Sequence, residues 1–242
     1  MLRCSHCLAL FTLAAIPCAS QAQEFHDLFN GKDMEGWVVE GAKTNKDGKP
    51  VWTVKDGLLA CDTLRGAYGF LRYDKQQYGD FILRVEYRMT PPSKEMGRGN
   101  SGLGIRTPPF DPAKSAQTRP SYAAYEVQLL DDAGKPADKH SSGSLYRYLA
   151  PIKNAVKPAP EWNTVEVECV GPRIRVRING EAVLDADQNQ IPDFTRKEDP
   201  TKPADAPAPK DKPLKGYVSL QSHTGKIEFR KVQIAELKDG KP

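Results

Sequence analysis

Trp162-Asn-Thr-Val-Glu-Val-Glu-Cys-Val-Gly-Pro-Arg-Ile-Arg-Val-Arg-Ile-Asn-Gly180 decides the fold class. Val165, Val167 and Cys169 alternate with Glu166 and Glu168. After Gly171-Pro172, Ile174, Val176 and Ile178 alternate with Arg173, Arg175 and Arg177. A period of two puts the aliphatic set on one face and the charges on the other, which is a half-buried β-hairpin. Pairing through the turn sets Glu168 opposite Arg175 and Glu166 opposite Arg177. Each such cross-strand pair contributes roughly 0.2–1 kcal/mol. The charged ladder reads as a solvated outer face. Asn179-Gly180 supplies the positive-φ pair of a second tight turn into Glu181-Ala-Val-Leu184.

The same alternation recurs on both sides of the hairpin. In Asp80-Phe-Ile-Leu-Arg-Val-Glu-Tyr-Arg-Met89, Phe81, Leu83, Val85, Tyr87 and Met89 share one face, while Arg84, Glu86 and Arg88 take the other. Further strands are expected at 51–54, 58–61, 101–107, 122–130, 143–149, 215–223 and 226–237. No long amphipathic helix and no internal repeat is found. Many short strands separated by Gly, Pro and Asn-Gly predict an all-β antiparallel sandwich or jelly roll. Pro91–Gly99 reads as a flexible connection. Asp187–Pro213, rich in Pro, Asp, Lys and Ala, reads as a surface excursion too poor in apolar residues to pack, and partly disordered.

Composition narrows the class. The chain has 242 residues, 35 Lys plus Arg against 31 Asp plus Glu, and a net charge of +4. The charges form no block of one sign, which argues against nucleic acid and anionic membrane as partners. Met1 to about Ala22 reads as a secretory signal peptide, with Arg3, an apolar run over Cys7–Ile16 and the small-x-small Ser20-Gln-Ala22. Export to the periplasm or the exterior is therefore expected, with 23–242 as the working domain. Outside the first twenty residues no stretch of roughly 18 apolar residues occurs to span a bilayer. Removal of the leader leaves Cys61 and Cys169, either as one disulfide or as two buried free thiols, so a hydrophobic core must stabilise the fold.

Several strands carry polar side chains opposite their apolar face. In Tyr125-Glu-Val-Gln-Leu-Leu-Asp131, Tyr125, Val127 and Leu129 oppose Glu126 and Gln128. In Gly216-Tyr-Val-Ser-Leu-Gln-Ser-His223, Val218 and Leu220 oppose Tyr217, Ser219, Gln221 and His223. Asn100-Ser-Gly-Leu-Gly-Ile-Arg106 adds small residues beside an Arg. Such a face can hydrogen-bond hydroxyl-rich ligands. His140 lies in a loop beside Tyr146 and could reach a cleft, whereas His26 reads as incidental. No His-Glu-x-x-His, Cys-x-x-Cys, calcium loop, P-loop, dinucleotide fingerprint or nucleophile elbow is present. No cofactor is demanded, and a divalent ion held by Glu126, Asp131 and a histidine stays open.

Together with Leu28-Phe-Asn-Gly-Lys-Asp-Met-Glu-Gly-Trp37, Trp52-Thr-Val-Lys-Asp-Gly-Leu58, Gly143-Ser-Leu-Tyr146, Glu161-Trp-Asn163 and Ile227-Glu-Phe-Arg230, these segments occur in the order of one family. The chain resembles the 3-keto-disaccharide hydrolase domain, also described as a 3-keto-glucoside 1,2-lyase/3-keto-2-hydroxy-glucal hydratase, over nearly all of 25–237. Lys231 and the Pro/Lys-rich insertion near 187–213 depart from the family pattern. The resemblance implies a concanavalin A-like jelly roll acting on 3-keto-glycosides, supplied by an upstream sugar 3-dehydrogenase. It implies Glu126 or His223 as base, Arg106 and Gln128 as stabilisers, and His140 and Tyr146 at the leaving group or ring. Asn100, Gln221 and Asp131 complete the expected binding set. Two alternatives are kept. Glu126-x-Gln128-x-x-Asp131 looks like the strand of laminarinase-type glycosidases, whose two carboxyls must stand about 5–5.5 Å apart. A carbohydrate-binding module without turnover would also suit a polar concave face.

Overall fold

The computed structural model describes residues 23–64, 66–94 and 97–237. The expected leader, 1–22, lies outside them. In chain order the strands are β1 (His26–Asp27), β2 (Trp37–Gly41), β3 (Trp52–Lys55), β4 (Leu58–Asp62), β5 (Gly69–Tyr73), β6 (Phe81–Met89), β7 (Asn100–Thr107), β8 (Tyr125–Leu130), β9 (Asn163–Val170), β10 (Arg173–Ile178), β11 (Glu181–Asp187), β12 (Tyr217–Ser222) and β13 (Lys226–Glu236). Two one-turn helices, α1 (Ser115–Thr118) and α2 (Pro120–Ala123), lie between β7 and β8. An eight-stranded sheet runs β11-β10-β9-β6-β13-β4-β3, with β1 added on β13. A five-stranded sheet runs β2-β5-β12-β7-β8. Among the described residues no helix is long and apolar enough to cross a membrane.

Alternation places the core between the two sheets. Leu83, Val85, Val165, Val167, Val176 and Phe229 of the large sheet meet Leu71, Leu103, Ile105, Val127, Leu129, Val218 and Leu220 of the small one. Burying each such side chain is worth about 1.5–3 kcal/mol, and this layer offsets the entropy of ordering so many strands. The β9–β10 register has Arg175 opposite Glu168 and Arg177 opposite Glu166, as the hairpin sequence predicts. Arg175 pairs with Glu168, while Glu166 turns to Arg84 of β6 at 2.8 Å. Cys61 and Cys169 are buried free thiols.

Three expectations are corrected and three strands are added. The strand expected from 122 begins at Tyr125, because Pro120 opens α2 in its place. Residues 143–149 form turns rather than a strand: Gly143 and Arg147 take positive φ, and Leu149 N–H closes on Leu145 O at 3.0 Å. The excursion 187–213 is packed down rather than disordered. Phe194 stacks edge-on to Tyr148 with ring centroids 4.8 Å apart, and Lys202 Nζ donates to Asp193 at 2.6 Å and to Phe194 O at 2.7 Å. Lys212 is buried, its ammonium on Ala124 O and over the Tyr125 and Tyr148 rings. Finally, β1, β2 and β5 arise from segments without a marked alternation.

Candidate active site

The outer face of the five-stranded sheet carries the polar side chains. Regular β7–β8 pairing keeps Glu126 and Gln128 on it, opposite Gly104 and Gly102. Two glycines facing outward leave the floor open between β8 and β12. A methyl group at Gly102 would come within 2.8 Å of Glu126 Cγ. Across that gap Gln221 Nε2 donates to Glu126 Oε1 at 2.8 Å. Asn100, at the start of β7, has its Nδ2 2.8 Å from His223 Nδ1 and its Oδ1 3.0 Å from the Gln128 amide. Five of the expected residues thus gather in one place: Glu126, Gln128, Asn100, Gln221 and His223.

This face is roofed rather than open. Tyr146 N–H donates to Glu126 O at 2.9 Å and Gly143 N–H to Gln128 O at 2.8 Å, so the 143–146 turn closes the exposed edge of β8. On the other side Phe110 packs on Phe70 and Tyr68, and α2 is buried above Gly104. Glu126 is only 2% exposed, whereas Asn100, His223, Tyr68, Arg119, Tyr146 and Arg147 are half-buried.

Burial and charge set the protonation states. Loss of water pushes the Glu126 carboxyl up to about 7, against the opposing pull of the Gln221 hydrogen bond and of Arg119 and Arg147. His223 is held below the usual imidazole value, first by burial and then by the Arg119 charge, so at neutral pH its ring is uncharged. The Tyr68 hydroxyl is pushed up by burial and by Glu126, which keeps its proton in place.

Three of these groups escaped the sequence reading. Tyr68 stacks edge-on to His223 at 5.4 Å. Arg119 lies over the Tyr68 ring at 5.1 Å with its Nε buried and unpartnered. Arg147 pairs with Asp199, which also accepts from Tyr122 at 3.0 Å, so the 187–213 excursion builds one wall of the site. Their signals are weak, since all three sit in irregular connections.

Other expected residues lie elsewhere. Arg106 takes φ +54 where β7 bulges against β12, and this turns its side chain away from the site. The guanidinium is buried and donates to Gly79 O at 2.9 and 2.7 Å, to Gly171 O at 2.6 Å and to Asp80 at 3.2 Å. Arg106 is therefore a tie between loops, not a site residue. Asp131 follows an unbulged β8 and lines a small cavity with Tyr87, Met89 and Lys157. It does not join Glu126, so these two residues form neither a shared cation site nor a two-carboxylate pair. Among the described residues no three His, Cys, Asp or Glu side chains gather as ligands. His140 is exposed at the rim, its ring 5.2 Å from Tyr146.

A profile of the 3-keto-alpha-glucoside-1,2-lyase-like domain matches residues 24–235. The chain belongs to that family. Membership makes this lyase-like domain carbohydrate-active. Among solved structures, a candidate glycosyl hydrolase from Parabacteroides distasonis ATCC 8503 aligns with a TM-score of 0.66 at 24% identity, over 88% of this chain and 94% of its own. A Bacillus subtilis protein of galectin-like fold aligns at 0.53 with 13% identity, over 88% and 94%. SCLam, a non-specific endo-beta-1,3(4)-glucanase of family GH16, aligns at 0.51 with 13% identity, over 89% and 90%. At these identities the likenesses establish the lyase-like domain's jelly-roll sandwich and nothing about its chemistry. No curated protein matches the chain.

Proposed function

We propose that this chain is an exported enzyme that cleaves 3-keto-glucosides by elimination and then hydration, with net hydrolysis. One observation carries the reading: half-buried His223 stands edge-on to Tyr68, 5.4 Å between ring centroids, with the Arg119 guanidinium over that same Tyr68 ring. A ketone at C3 acidifies the C2 proton, and the oxygen at C1 is then a β leaving group. His223 Nε2 takes the C2 proton. Arg119 and the Tyr68 hydroxyl face the oxygen that becomes the enolate, where fixed donors lower the barrier most. The C1–O bond breaks with its electron pair, and Tyr146 at the rim protonates the departing oxygen. Water then adds its hydroxyl to C1, the imidazolium returns its proton to C2, and the proton left by water restores Tyr146. Proton transfer by placed groups contributes about 10²–10⁴-fold. Glu126 is walled in behind these groups and acts on them without touching the sugar.

The test is to incubate the protein with a chromogenic 3-keto-glucoside, with and without a chelator. Release of aglycone together with free 3-keto-glucose supports the reading, and loss on chelation would add a cation to it. Turnover of the unoxidised glucoside with retention at C1 would favour a glycosidase. Saturable binding without product would favour a carbohydrate-binding module.

A further inference from the structure

Glu126, Gln128, Asn100 and His223 form one line of polar contacts, and amide chemistry permits only two ways of filling it. The Gln128 amide has one end 3.0 Å from Asn100 Oδ1 and the other 3.2 Å from both Ser101 O and Glu126 Oε1. An ionised Glu126 only accepts, and so does the Ser101 carbonyl. The Gln128 NH2 must then face them, leaving its carbonyl to Asn100. Asn100 answers with its NH2 toward Gln128 and its carbonyl toward His223 Nδ1, 2.8 Å away. That carbonyl requires a proton on Nδ1, so Nε2 carries a free lone pair. In the opposite filling Glu126 is protonated and donates to the Gln128 carbonyl, a bond that must outweigh the contact of that carbonyl with the Ser101 carbonyl 3.2 Å away. The Gln128 NH2 faces Asn100 Oδ1, the Asn100 NH2 donates to Nδ1, and the proton of the ring sits on Nε2.

We propose that Gln128 and Asn100 are a two-amide relay through which the charge of Glu126 fixes the tautomer of His223. Both are positioning residues, since neither needs to touch the reacting atoms. The proposal rests on the reading that His223 Nε2 is the base. The ring exchanges no net proton: ionisation of Glu126 releases one proton to solvent, and the imidazole moves its single proton from Nε2 to Nδ1. The surroundings let the line switch. Glu126 faces Gln221 of β12, Tyr68 ahead of β5, Arg119 ahead of α2 and Arg147 of the roofing turn. His223 faces Arg119 and the Tyr68 ring. None of these groups donates to or accepts from His223 Nδ1, so Asn100 alone dictates that end.

Nitrogen-15 NMR of the full chain labelled at histidine tests this without substrate, with His223→Gln identifying the His223 signals. The expected result is an exchange of the pyrrole-type and pyridine-type signals between Nδ1 and Nε2 as pH passes through the ionisation of Glu126. In Gln128→Met the exchange should be lost. In Asn100→Asp, whose ionised carboxylate only accepts, the proton should stay on Nδ1 both below and above neutrality. A wild-type tautomer that does not change with pH, or a Gln128→Met protein that still follows Glu126, overturns the relay. A tautomer that follows Glu126 in a protein inert toward 3-keto-glucosides keeps the relay and removes the proposed reaction. Cleavage with a fixed tautomer does the reverse.

Discussion

Gln221 reaches across a whole strand to Glu126: its amide on β12 donates at 2.8 Å to a carboxylate on β8, over the glycines of β7. The contact exists because Gly102 has no side chain. In Gly102→Ala the added methyl would meet Glu126 Cγ at 2.8 Å and Oε1 at 2.9 Å. We expect a loss of about 1–3 kcal/mol from overpacking, read as a lower denaturation midpoint, together with weaker turnover of the 3-keto-glucoside.

Glu126 makes stability depend on pH in a defined direction. Its folded value, about 7, lies above the ordinary 4.5, so between the two the native state binds more protons than the unfolded one. Stability is therefore full below about pH 4.5 and falls until about pH 7. The difference is on the order of 3 kcal/mol. Glu126→Gln should remove that fall, so its melting temperature should gain on wild type across this window and then run parallel. The relay adds a kinetic expectation: wild-type kcat/KM rises as Glu126 ionises, and the variant lacks that limb.

Arg106 is a buried tie, and its loss should be structural. Arg106→Met leaves Gly79 O and Gly171 O without their donor and Asp80 without its counter-charge. Breaking one partner of a buried charged network costs about 3–5 kcal/mol. Chemical denaturation should show that loss, while the folded fraction keeps its specific activity.

Lys212 carries the opposite sign to Glu126. Burial holds its ammonium well below the usual 10.5, so above that lowered value and up to about 10.5 the unfolded chain binds more protons. Wild-type stability should gain relative to Lys212→Met as pH rises through this range. Paired urea titrations at neutral and alkaline pH measure the difference.

The hairpin at 163–178 was legible to the register because aliphatic and charged residues alternate without interruption and Gly171-Pro172 fixes the turn. The polar face of β8 and β12 was legible for the same reason, so Glu126, Gln128, Gln221 and His223 were found together. Alternation fails wherever the backbone departs from extension. Arg106 keeps the spacing of an outward residue, yet a positive φ turns it to the loops behind. Tyr146-Arg147-Tyr148 reads as a strand, but Arg147 also takes positive φ and the segment becomes a turn. The excursion looked solvated because its lysines count as surface charges. Lys202 and Lys212 instead bury their stems against aromatic rings, with backbone carbonyls to receive the ammonium. Arg119 and Tyr68 belong to irregular chain, where only the folded arrangement brings them to His223.

Pairing of His26 with Ile234 brings the first and last strands of the described chain side by side, in the sheet that does not carry Glu126. A short linker could splice those two strands, with new termini opened at the Asn179-Gly180 turn. The resulting circular permutant would keep the layer that carries Glu126 continuous, and in the unpermuted chain fusion partners attached beside β1 or β13 would emerge from the opposite layer.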